Sequence, residues 1–138
     1  MASSSRFAVA LHVVTLLAAE GGRPVPSALV AGSVRTNPVV IRRILRDLSR
    51  AGIVETRRGA SGGSSLSRAP GRVTLLQVYR AVGDCEALSL PGRTGNPRCP
   101  VGACMGRVAA AVLRRAQRAL ERELSRATVA DLARAVGR

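Results

Sequence analysis

TNPVVIRRILRDLSRAGIVETRRGASGG, from Thr36 to Gly63, decides how this 138-residue chain is read. Asn37 suits a helix N-cap and Pro38 the first helical position, where proline's missing N–H would be unpaired anyway. Val40, Ile41, Ile44, Leu45 and Leu48 then recur on one helical face, while Arg42, Arg43, Arg46 and Arg50 lie on the other side. Ala51-Gly52 predicts a left-handed stop. Ile53-Val54-Glu55-Thr56-Arg57 suits a strand, Gly59–Gly63 a turn, and Ser64–Arg68 the returning strand. A helix, a stop and an arginine-flanked hairpin, in that order, are what a winged helix-turn-helix needs. They set one helix in a DNA groove and a ribbon against the backbone beside it.

On the N-terminal side, a helix is expected from Ser4 to Ala19, with Phe7, Leu11, Val14 and Ala18 on one face, ending before Gly21-Gly22. Ser27 is expected to cap a short helix from Ala28 to Gly32, followed by a turn at Ser33–Thr36. On the C-terminal side, Pro70-Gly71 separates the hairpin from a helix at Leu75–Val82, for which Thr74 is the cap. From Gly83 to Pro100 the pattern dissolves into Pro, Gly and Asn. A long helix over Val101–Ala127 then carries an apolar stripe of Val101, Met105, Val108, Val112, Ala116, Leu120 and Leu124. In a chain this small such a stripe calls for a second helix, and a homodimer seam is the economical answer. Thr128 caps a last short helix running to Val136.

The expected fold is therefore mainly α with a small β-wing, a winged helix-turn-helix followed by a long C-terminal dimerisation helix. The expected units are a DNA-binding domain over residues 1–83, a cysteine-containing loop over 84–100, and the dimerisation and C-terminal helices over 101–138.

Composition narrows the partner. Apolar residues make up 46% of the chain, enough for a core, and that core is aliphatic because Phe7 and Tyr79 are the only aromatics. The same scarcity argues against a surface that stacks unpaired bases. The net charge is +14 and all 22 basic residues are arginine, which favours a polyanion, double-stranded DNA first and an anionic membrane second. Phe7–Ala19, an apolar run behind Arg6, resembles the core of a signal peptide, but it is too short to span a bilayer and reads equally as an amphipathic helix. A cytoplasmic protein without a membrane partner is expected. With no Ser-His-Asp set, no P-loop and no carboxylate cluster, nothing supports a conventional enzyme. The residues placed to meet DNA are Val39, Arg42, Arg43 and Arg46 on the helix, with Arg57, Arg58 and Ser61 on the wing.

These segments resemble the Rrf-type family of bacterial winged helix-turn-helix transcriptional regulators, relatives of the iron–sulfur assembly, nitric-oxide-response and cysteine-metabolism repressors. The resemblance is carried by SSRFAVALHVVTLLA at Ser4–Ala18, TNPVVIRRIL at Thr36–Leu45, GIVETRRGASGG at Gly52–Gly63, TLLQVYRAV at Thr74–Val82 and NPRCPVG at Asn96–Gly102. It implies a homodimeric repressor that crosses its long helices and binds a palindromic operator. Arg58 stands where the iron–sulfur assembly regulator has a base-reading wing arginine. Arg42 replaces a glutamate of that regulator's recognition helix, and Val39 a serine, so the resemblance implies a different operator.

Cys85, Cys99 and Cys104 lack the spacing of the family's three-cysteine cluster loop. They look more like a redox-sensing member that holds a 2Fe–2S cluster with a Cys-x4-Cys pair from one subunit and a glutamate and a histidine from the other's first helix. By that resemblance Cys99 and Cys104 are the pair and His12 the histidine, while Ala8 stands where the glutamate would be, leaving Cys85 or solvent to supply a fourth ligand. Reduced, buried or redox-switching thiols are the alternatives. Two other function classes stay open: a small iron–sulfur redox or electron-transfer protein without a DNA-binding role, and a basic module on a membrane surface.

Overall fold

The computed structural model describes residues 3–83, 88 and 95–137. In chain order these form α1 (Ser3–Ala19), α2 (Ser27–Val34), α3 (Pro38–Arg50), β1 (Val54–Arg57), β2 (Gly63–Leu66), a 3-10 turn at Pro70–Arg72, α4 (Leu75–Val82), α5 (Pro100–Arg126) and α6 (Val129–Ala135). The core is aliphatic. Val13, Val14 and Leu17 of α1 pack with Val30 of α2, Ile41, Ile44 and Leu48 of α3, Val78 of α4 and Val129 of α6, all without solvent exposure.

The helix starts follow local chemistry. Asn37 Oδ1 accepts from the Val39 N–H at 2.9 Å and Pro38 opens α3. Thr74 and Gln77 close a reciprocal capping box on α4, and Thr128 and Asp131 another on α6. Gly52, at φ +73°, stops α3 in the left-handed region. Asn37→Ala should cost about 1 kcal/mol of stability and fray the first turn of α3, readable by urea melts and by hydrogen exchange at Val39.

One cap differs from expectation. Ser27 is already helical, and Pro26 is the N-cap, with no side-chain hydrogen bond. Val25 is held to Ser64 by an N–H···O bond in each direction, at 2.8 and 2.9 Å. That extended bridge brings Pro26 to the helix entrance, where its carbonyl accepts from the Leu29 and Val30 N–H groups. α2 starts one residue early and runs on to Val34, ending at Arg35, which takes a left-handed conformation at φ 59°.

A tertiary ion pair ties α1 to α3: Arg6 donates to Asp47, the one acid of α3. At the other end α6 returns to pack on α1, anchored by a bridge between Thr74 and Thr128. Hydrogen bonds from the Thr128 backbone N–H and hydroxyl, then Arg134, hold the Asp131 carboxyl below its ordinary range. A depressed carboxylate pKa contributes stability above the unfolded value and loses it as pH falls through the folded one. α6 should therefore loosen in acid below about pH 4, and Asp131→Asn should flatten that response in a pH series of hydrogen-exchange measurements on α6.

The stripe on α5 divides. Ala116, Leu120 and Leu124 are half-buried, and Gln117 and Glu121 of the same half reach Tyr79 and Arg80 of α4. Val101, Met105, Val108 and Val112, on the N-terminal half, are exposed at 62, 50, 54 and 50%. A second uncovered apolar surface is a groove of about 620 Å³ between α1 and α6, lined by Leu11, Leu16, Leu132 and Val136 with His12 and Ser33 at its edge.

Candidate nucleic-acid interface

The wing is a two-stranded antiparallel ribbon with Val54 opposite Leu66 and Arg57 opposite Gly63. Pairing begins at Gly63, one residue before the expected strand, and the strand ends at Leu66. Two glycines make this geometry possible. A Cβ on Gly62 would lie 2.2 Å from the Arg57 carbonyl oxygen, and one on Gly63 2.5 Å from the Val25 carbonyl carbon. The Val25–Ser64 bridge docks the ribbon beside the start of α2, and a 3.1 Å hydroxyl contact between Thr56 and Ser64 ties its two strands together.

Between α3, the start of α2 and the wing lies a cleft of about 580 Å³. Arg42, Arg46 and Arg50, spaced by one helical turn, line one wall, Arg57 the other, and Ser27 the end nearest α2. No carboxylate lines it. Glu55 lies 3.9 Å from Arg57, and Asp47 is 3.6 Å from Arg46 while committed to Arg6. Arg42, Arg43, Arg50 and Arg58 have no carboxylate partner among the described residues and are exposed. Such a surface concentrates unneutralised guanidinium groups whose fork geometry suits phosphates and guanine edges.

Of the seven residues singled out from sequence, Arg42, Arg46 and Arg57 share this cleft. Val39 and Arg43 lie outside it on the exposed face of α3, and Arg58 and Ser61 are exposed on the turn of the wing. Arg50, read from sequence only as part of the basic face, and Ser27, read only as a cap, also line the cleft. The four-residue repeat of Arg42, Arg46 and Arg50 is the signal that points to Arg50, while Ser27 comes in only through the Val25–Ser64 bridge.

Among the described residues, Cys99, Cys104 and His12 do not form a common metal site. Cys99 is the N-cap residue of α5 and Cys104 lies a turn further on, both exposed. His12 is on α1, its Nε2 hydrogen-bonded to the Ser33 hydroxyl at 2.9 Å. No group of three or more His, Cys, Asp or Glu side chains is placed to hold a metal among the described residues, and Cys85 lies outside them. The described residues of one chain thus do not fit a 2Fe–2S cluster. No helix among them is long and apolar enough to cross a membrane.

A three-helix body with a glycine-built wing, an arginine-walled cleft and a long trailing helix defines a winged helix-turn-helix regulator. The chain belongs to the Rrf2 family, whose profile, described as an iron-dependent transcriptional regulator, matches residues 3–135. It is 38% identical over 129 residues to YwnA of Bacillus subtilis (strain 168), whose name places it among HTH-type transcriptional regulators. That match covers 94% of this chain and 95% of YwnA. A solved structure described as a DNA-binding protein is 36% identical, with a TM-score of 0.73 over 92% of this chain and 97% of that one. CymR, the global cysteine regulator of B. subtilis, shares the fold at 21% identity, with a TM-score of 0.71 and 96% of each chain covered. Membership in this family leaves no ground for treating the helix-turn-helix as incidental to an electron carrier.

Proposed function

We propose that the protein is a homodimeric transcriptional repressor that binds a palindromic operator in the cytoplasm. α3 of each copy enters the major groove of a half-site, and Arg57, Arg58 and Ser61 of the wing lie on the flanking backbone. The observation that carries this reading is the cleft walled by Arg42, Arg46, Arg50 and Arg57 with no acid lining it, beside a helix whose exposed face is basic. A dimer is supported by the two uncovered apolar surfaces on one chain, the N-terminal half of the α5 stripe and the groove along α1 and α6. Each can cover the other only in a second copy if α5 keeps its place on α4.

A redox response is supported by Cys99 and Cys104, two exposed thiols at the start of the same α5. A cluster on that pair would draw its remaining ligands from outside the described residues of one chain.

Titration of promoter fragments at several salt concentrations tests the DNA reading. If the dimer neutralises ~6–10 phosphates, log K falls linearly with log salt at a slope near ~0.9 per phosphate. A flat response contradicts it.

A further inference from the structure

Val39 is an anomaly on the surface just described. It is 43% exposed, and among the described residues it is the one large apolar side chain left open on α3 or the wing. It is not part of an apolar patch. At 3.6 residues per turn its nearest neighbours up the helix are Arg42 and Arg43, with Arg46 and Arg50 in line beyond them. Of the apolar residues that follow on α3, Val40 is half-buried against the core, and Ile41, Ile44, Leu45 and Leu48 are buried on the opposite side. Val39 therefore sits at the head of a fan of exposed guanidinium groups, on the first turn of the helix.

Its position is fixed on both sides. Asn37 caps the Val39 N–H at 2.9 Å, and Pro38 locks the preceding backbone angle. Side chains on a helix lean toward its N-terminus, so this branched side chain projects past the tip of α3. Arg42, Arg46 and Arg50 line the cleft toward the wing, whereas Val39 does not. The arginines therefore wall the cleft that faces the wing, and the valine lies outside it, at the start of the same basic face of α3.

We propose that Val39 reads thymine, packing its methyl groups against the 5-methyl of one thymine in each half-site of the operator. This rests on the DNA-binding reading above and adds the base that the helix tip selects. The 5-methyl of thymine is the apolar group that a base pair presents in the major groove, and an aliphatic side chain flanked by arginines has no other chemistry to offer there. The arginines position the helix and read guanine edges or phosphates; the valine adds a preference that charge cannot supply.

The test uses the purified full chain. Duplexes are enriched from a random-sequence pool, and each symmetry-related pair of thymines in the enriched site is replaced by deoxyuridine, which removes only the 5-methyl groups. Affinity is read by fluorescence anisotropy. One pair of replacements should weaken wild-type binding about fourfold per half-site, near 15-fold for both. Val39→Ala should bind the thymine and deoxyuridine duplexes equally, while Val39→Thr, which keeps one branch methyl, should retain part of the discrimination. The proposal is overturned if every deoxyuridine duplex binds within twofold of its parent, or if Val39→Ala shows the same loss as the wild type. A pool from which nothing is enriched removes the regulator reading, and this proposal with it.

Discussion

Replacing Arg42 and Arg58 together with alanine should lower operator affinity by at least about 100-fold while leaving the protein folded. Each guanidinium bidentate to a base edge contributes about 1–3 kcal/mol of discrimination, and a two-fold complex would lose every such contact twice. Neither side chain has a carboxylate partner among the described residues, and both are exposed. The change in stability should therefore stay within about 0.5 kcal/mol. That contrast separates the prediction from a general loss of fold. Arg43→Ala tests the neighbouring position, which lies outside the cleft; a mainly electrostatic loss there should reduce the salt slope by about one per phosphate contact removed. If the double variant retains the operator as the wild type does, the α3–wing surface is not where DNA binds.

The second large effect is expected on α5. Val108→Glu with Val112→Glu places two charges in the middle of the exposed apolar stripe, and in an isologous seam each charge is buried twice. The wild type should sediment at twice 14.4 kDa and the variant at 14.4 kDa. Because both valines are half exposed in the single chain, the helical body should keep its circular dichroism and its melting behaviour at low concentration. Operator affinity should fall by two orders of magnitude or more, because the two half-sites are then engaged independently rather than through one linked pair. A variant that remains dimeric would place the interface away from the exposed α5 stripe.

The features legible in the sequence are those whose cause is local. Asn37-Pro38, Thr74 with Gln77 and Thr128 with Asp131 each mark a helix start because cap and capped N–H lie within three residues. Gly52 marks a stop because it alone there adopts a positive φ freely. Helical spacing puts Arg42 and Arg46 on the face of α3 that is exposed, and the flanking arginines and glycines mark the wing.

What could not be read depends on contacts between distant segments. Ser27 has the chemistry of a cap, yet the bridge from Val25 to Ser64 gives that place to Pro26. Arg6 and Asp47 meet across 41 residues, and no local pattern announces the pair. α6 is joined to the start of α4 by a bridge between Thr74 and Thr128, each legible only as a cap. His12 illustrates the limit at the site itself. The family resemblance makes it a cluster ligand, whereas in the single chain its Nε2 is hydrogen-bonded to the Ser33 hydroxyl, a partner 21 residues away that no local pattern announces.

The most direct test of the central claim, a two-fold protein laying α3 and wing along duplex DNA, is a hydroxyl-radical footprint of the purified chain on its enriched duplex. Two protected half-sites related by a dyad, with centres about 10–10.5 base pairs apart or a multiple of that, are expected. A single unsymmetrical patch of protection, or none at concentrations where the chain is dimeric, would contradict it.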